Sequence, residues 1–258
     1  MITAYTRAVS PRLADCALTH LERCPIDPER AVRQHAAYEA ALSGAGCRVV
    51  RLPELPDHPD GVFVEDTAIL LGNDAIVTRP GAPSRAEEAD STAAGLAADF
   101  RVQRLSAGTL DGGDVLRIKR TLYVGLSSRT DASGAAALAG MVAPLGYRLV
   151  TVEPSRCLHL KTAVTYAGHD AAGRPTILVN PDWIDPGLFE GVYAIEVAEP
   201  SAANCVRVGD RLILPRGNPR TAEQLRLAGF ILVEVDVSEL QKAEAGVTCM
   251  SLVSDAGD

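Results

Sequence analysis

Four residues with chemical potential follow one another at intervals of 45 along this chain: Asp114, His159, Asn204 and Cys249. A thiol is the strongest nucleophile among neutral side chains, an imidazole moves protons near neutral pH, and a carboxylate orients an imidazole. Drawn together, they would make a nucleophile, a base and its orienter from places far apart in sequence. Equal spacing also marks a repeat, in which successive units put equivalent positions around one axis.

The repeat can be followed in the residues. One unit runs GVFVEDTAILLG, NDAIVTRPGAP, SRAEEADSTAAGLAADF and RVQRL, and the next LDGGDVLRIKR, TLYVGLSSR, TDASGAAALAGMVAPLG and YRLVTVEP. A third contains LHLKTAVTYAGHD, RPTILVN, PDWIDPGLFEG and VYAIEVAEP, and a fourth AANCVRVGD, RLILPRG, NPRTAEQLRLAG and FILVEVDV. Each reads strand, turn, strand, helix, strand. The third unit's helix is weak, because Pro186 and Gly187 leave room for only about a turn or two. A fifth unit is split: GVTCMSLV supplies its last strand in sequence, and the amino terminus supplies AYTRAV, the helix ERAVRQHAAYEAALSGAG and the strand CRVVRLP. Helix signals include Ser84 ahead of Glu87, Asn218-Pro219, and Gly44, Gly146 and Gly229 as left-handed caps. A unit completed by both termini implies a closed ring over residues 1–258, one domain, not an open solenoid. The fold class is therefore α/β, a propeller of five ββαβ blades with the two terminal segments sharing a blade.

Composition narrows the function classes. Of 258 residues 47% are hydrophobic and 22% charged, and the formal net charge is −8. No basic run exists, which argues against nucleic acid. No apolar stretch approaches about 18 residues, and the amino terminus lacks a leader pattern, so a cytoplasmic protein without membrane contact is expected. The six cysteines form no CxxC pair, and reduced thiols are the default in such a chain. The string Gly44-Ala45-Gly46 follows a helix and precedes a strand, the reverse of a dinucleotide-binding context. His20, His35, His58 and His169 lack ligand spacing, and no metal or other cofactor is implied.

Long motifs carry a family resemblance. Gly61-Val62-Phe63-Val64-Glu65-Asp66, Arg79 to Arg85 (RPGAPSR), Leu110 to Leu116 (LDGGDVL), Gly125 to Thr130 (GLSSRT), Leu158-His159-Leu160-Lys161 and Ala202-Ala203-Asn204-Cys205 resemble the dimethylarginine dimethylaminohydrolases, of the guanidine-modifying superfamily. The resemblance implies hydrolysis of asymmetric dimethylarginine and monomethylarginine to citrulline and a methylated amine. It implies Cys249 as nucleophile, His159 as general acid then base, and Asp114 as the group that holds the imidazole. Glu65 and Asp66 would hold the guanidinium, Arg85 and Arg129 the substrate carboxylate. Asp60 and the carbonyls of Leu18 and Ala243 would take the α-amino group, and Phe63 would pack on the apolar stem. Asn204 completes hydrogen bonds in the channel. The pattern departs at Glu244, where some relatives carry Asp.

A site lined by Glu65, Asp66 and Asp114 would keep Cys249 protonated until a cationic guanidinium arrives. SPRLADCALT, after the opening strand, is a candidate lid. The partner class is a small molecule, and a homodimer is compatible with the sequence. Three other readings compete. An arginine deiminase would use the same groups, but those enzymes are usually longer, with a helical insertion this chain lacks. A non-catalytic amino-acid-binding propeller leaves the spacing to chance. A metallohydrolase using His159, Cys249 and carboxylates lacks HxxxH or HExxH spacing.

Overall fold

A computed structural model describes residues 1–254. Strand β1 (Thr3–Thr6) is followed by helix α1 (Pro28–Gly44) and by β2 (Arg48–Arg51), which pairs with β1 in parallel. Asp27 caps α1 by accepting from the Arg30 amide, and Pro28 opens its first turn. Strands β3 (Ala68–Leu71) and β4 (Asp74–Val77) form an antiparallel hairpin, and helix α2 (Ala86–Leu96) returns the chain so that β5 (Arg101–Arg104) lies parallel to β4. The same order recurs in β6 (Val115–Ile118), β7 (Thr121–Gly125), α3 (Ala132–Val142) and β8 (Arg148–Val152). After a one-turn helix α4 (Leu160–Ala163), strands β9 (Val164–His169), β10 (Pro175–Val179) and β11 (Tyr193–Glu196) repeat it with only a 3₁₀ turn at Pro186–Leu188 in place of a helix. Then come β12 (Val206–Val208), β13 (Arg211–Pro215), α5 (Pro219–Leu227) and β14 (Ile231–Val235). Short helix α6 (Ser238–Gln241) leads to β15 (Leu252–Val253), antiparallel to β1. Among the described residues the result is five three-stranded sheets, with β1 central in the one that both terminal segments build.

Alternation along the strands closes the ring. Val115 faces a cluster with Ile69, Ile76 and Leu138, while Leu116 and Ile118 face the next cluster with Val164, Ile177 and Phe189. In β7, Leu122 and Val124 follow Val115, and Tyr123 follows Leu116. Further seams join Leu178 to Leu212 and Leu214, Ala4 to Val206 and Ile213, and Tyr5 to Ala68 and Ala75. Each blade thus packs on both neighbours, and each fully buried Leu, Val or Ile contributes roughly 1.5–3 kcal/mol. A central cavity of ≈ 340 Å³ is lined by residues of β3, β6, β9, β12 and β15, one inner strand from every blade.

Several local expectations are corrected. The left-handed residue after α1 is Gly46 (φ 102°), not Gly44, which is the helix's last residue; Gly146 and Gly229 are left-handed as expected. Ser84 does not cap α2, because a 3₁₀ turn at Pro83–Arg85 runs directly into it. The inner strands are also shorter than their apolar runs. Each is preceded by a tight turn: Val64–Thr67, Gly112–Asp114, Leu160–Ala163, Pro200–Ala203 and Thr248–Met250. No helix among the described residues is long and apolar enough to cross a membrane.

Candidate active site

These five turns carry the chemistry. Asp66, Asp114, His159, Asn204 and Cys249 all sit on or beside one of them, at the hub where the blades meet. The interval of 45 is not a structural equivalence. Asp114 immediately precedes β6, whereas His159 stands ahead of all of α4 and only then β9. One narrow cleft is lined by Asp60, Phe63, Asp66, Arg85, Arg129, His159, Ala243 and Cys249, together with Ala17 and Glu244. The structure therefore brings eight of the eleven expected residues around one space.

The other three take different places. A 3₁₀ turn rotates successive side chains by about 120°, so Glu65 and Asp66 diverge. Glu65 faces the central cavity, where Oε1 accepts from Lys161 Nζ at 2.5 Å and Oε2 from Thr248 Oγ1 at 2.6 Å. Leu18 packs on the core beside the cleft while Ala17 lines it. Asp114 does not bond the imidazole. Its carboxylate accepts from Ser127 Oγ (2.6 Å), Thr130 Oγ1 (2.7 Å) and the Leu160 amide (2.8 Å). The carboxylate on the ring is Asp111, fully buried, whose Oδ2 lies 3.0 Å from His159 Nε2 and whose Oδ1 accepts from the Gly81 amide. Both acids flank Gly112-Gly113, so either could have reached the ring from sequence alone; Asp114 instead holds the backbone just after His159.

The other ring nitrogen, His159 Nδ1, lies 3.7 Å from Asp66 Oδ1. Burial opposes charging this ring, but Asp66, the bond to Asp111 and the field of Asp114 outweigh it and raise its pKa to about 9. The imidazole is thus a cation at neutral pH, able to donate. The Cys249 pKa also rises, which here favours the uncharged form: burial, then Glu65 and Asp66, push the thiol up to about 12. Its sulfur accepts from the Gly246 amide at 3.3 Å, and among the described residues it has no hydrogen bond to His159. Both shifts favour a neutral thiol and a charged imidazole over a preformed ion pair in the empty cleft. Asp66 stays ionised: burial opposes this, but His159 and then Arg85 hold its pKa low.

Arg85 lines the cleft but points its N–H groups inward, to Asp66 Oδ2 (2.6 Å), Glu88 Oε2 and the Phe63 carbonyl. A substrate carboxylate at Arg85 would have to displace these partners. Arg129, half-buried at the rim, donates to Thr19 Oγ1 at 3.2 Å and is the more accessible of the two arginines. Asn204 bridges two turns, donating to the Lys161 carbonyl and Thr248 Oγ1 and accepting from the Thr248 amide. Asp66, Asp111 and His159 offer donor atoms within 4.8 Å of one another, the spacing a divalent cation takes. Cys249 is outside that group, so the zinc arrangement considered from sequence is not the one formed, and Asp66 is already committed to Arg85.

A five-bladed α/β propeller with a cysteine, a histidine and carboxylates at its hub defines the guanidine-modifying class of proteins. No family model matches the chain, but individual relatives do. It is 41% identical over 259 residues to the N(G),N(G)-dimethylarginine dimethylaminohydrolase of Streptomyces coelicolor, covering 96% of this chain and 95% of that one. It is 36% identical over 231 residues to the protein of the same name from Pseudomonas aeruginosa, covering 88% and 89%. A structure of the Pseudomonas aeruginosa protein, a cysteine-to-serine variant complexed with citrulline, superposes with a TM-score of 0.90 at 34% identity over 98% of this chain and 99% of that one. The N-terminal domain of ArgZ, an arginine dihydrolase, shares the fold, with a TM-score of 0.84 at 20% identity over 98% and 97%. This chain belongs to the dimethylarginine dimethylaminohydrolase family.

Proposed function

We propose that this protein hydrolyses N-methylated arginines, asymmetric dimethylarginine and monomethylarginine, to citrulline and dimethylamine or methylamine. One observation carries the reading: Cys249, His159 and Asp66 share a buried cleft in a chain 41% identical, nearly end to end, to a dimethylarginine dimethylaminohydrolase.

A guanidinium is a poor electrophile because resonance spreads its charge over three nitrogens, so attack at its carbon requires a thiolate. Asp66 faces the cleft and Glu65 stands close enough to raise the thiol. A substrate cation entering here offsets both carboxylates, and the Cys249 proton leaves to solvent as the cation arrives. The sulfur then attacks the central carbon. His159, charged at neutral pH, gives its proton to the departing amine, leaving an S-linked thiouronium. The neutral ring next takes one proton from water attacking that carbon; the C–S bond breaks with its electron pair on sulfur, the new O–H gives its proton to that sulfur, and neutral citrulline leaves. Asp111 holds the ring through Nε2 in both steps. Such proton transfer is worth roughly 10²–10⁴-fold in rate.

Arg129 at the rim fits the substrate carboxylate, and Asp60, with the neighbouring carbonyls, the α-amino group. Six unpaired cysteines suit a reducing compartment and support a cytoplasmic reading. The test is turnover of dimethylarginine, monomethylarginine and arginine in parallel, with the released amines identified. Dimethylamine and methylamine should form well ahead of ammonia. Ammonia from arginine as the dominant product would instead assign a deiminase.

A further inference from the structure

Glu244 is the one non-glycine residue of the nucleophile segment held in the left-handed region, at φ 60°. It follows α6 at a position where glycine would sit without a Cβ clash. Its carboxylate crosses to the loop after the first strand, accepting from the amides of Thr19 (3.0 Å), His20 (2.5 Å) and Leu21 (2.5 Å). Three consecutive N–H groups converging on one anion form a backbone nest. The loop has no regular structure of its own, and residues 19–25 are exposed. Two further contacts bind it to the site: the Ala17 amide donates to Asp60, and Thr19 Oγ1 accepts from Arg129. The cleft beneath amounts to about 20 Å³, whereas pockets that enclose small ligands run to roughly 300–1,000 Å³. The loop must therefore move to admit an amino acid and return to enclose it.

We propose that Glu244 is a positioning residue: the latch that fastens loop 16–21 over the cleft by gripping three successive amides, and so sets the Leu18 carbonyl beside the substrate's amino group. Glu244 stands five residues before Cys249, so the segment that supplies the nucleophile also fastens the lid. The carboxylate is the reason for a side chain where backbone geometry favours glycine. The assignment of Leu18 rests on the methylarginine reading; the grip itself does not.

Two variants test it in the full-length protein. Glu244→Gly relieves the left-handed backbone while removing the grip, so it folds without loss. Glu244→Gln keeps the shape with one neutral acceptor oxygen. Amide-resolved hydrogen exchange should accelerate at Thr19, His20 and Leu21 by about tenfold or more in Glu244→Gly, with an intermediate effect in Glu244→Gln. Iodoacetamide should modify Cys249 faster in the empty variant. KM for dimethylarginine should rise by about tenfold, with kcat nearly unchanged. Unchanged exchange at all three amides in Glu244→Gly overturns the latch. Faster exchange in a protein whose wild type turns over no methylarginine upholds the latch and rejects the proposed substrate.

Discussion

Asp111 and Asp114 flank the same two glycines and do different work. Asp111→Asn should lower kcat by roughly 10²–10⁴ with little change in KM, since it removes the partner of a proton-transferring imidazole. Asp114→Asn should act first on stability, by about 1–3 kcal/mol, because the Leu160 amide and two hydroxyls lose a charged acceptor. Steady-state kinetics beside denaturant unfolding separates the two. The sequence spacing pointed to Asp114, and no local signal distinguishes two acids around Gly-Gly; only the meeting of two blades decides which touches the ring. The same encounter sets the protonation states. Iodoacetamide inactivation of the free enzyme should report a thiol pKa above about 8, and a value near about 6 would signal an ion pair. In kcat/KM, which reports the free enzyme, activity should fall as pH rises through about 9, where His159 loses the proton it donates.

At the scale of elements, the turns ahead of the inner strands were the least legible. Val62-Phe63-Val64 and GVTCMSLV read as continuous strand, yet β3 begins only at Ala68 and β15 only at Leu252. The reason is tertiary: backbones converge at the hub, and extended chain there would carry the site residues past one another. Gly113 shows how tight the approach is. A Cβ there would lie 2.7 Å from both Asp66 Oδ1 and His159 Nδ1. Gly113→Ala should reduce kcat/KM by about 10²-fold or more while leaving a folded protein, a result circular dichroism and kinetics can check. Helix α1, legible as the run ERAVRQHAAYEAALSGAG, brings a different consequence. Its His35 is buried, with Nε2 unpartnered, and burial lowers its pKa from 6.5 to about 4. The unfolded chain binds more protons between those values, so stability is full above pH 6.5 and declines as pH falls toward 4. His35→Phe should flatten melting temperature over that window.

Over the whole molecule, closure was legible because an unfinished unit remained at each end. The Thr3 carbonyl accepts from the Ser254 amide, and β1 lies between β15 and β2. Five interblade seams make the ring cooperative, since each blade buries both faces only when its neighbours are present. Deleting residues 1–6 removes a central strand and opens two seams, and should abolish cooperative thermal unfolding in calorimetry. The grip proposed for the loop after β1 is not legible in the sequence, because an aperiodic loop carries no pattern that says what will hold it.

The covalent step joins all three scales, since it needs Cys249, its turn and the closed ring together. Intact-protein mass spectrometry after acid quench during turnover of dimethylarginine tests it most directly. A species heavier by the substrate less dimethylamine, mapped to Cys249 and absent in Cys249→Ser, is the predicted result. Steady turnover with only unmodified protein at every quench time, and undiminished activity in Cys249→Ser, would contradict it.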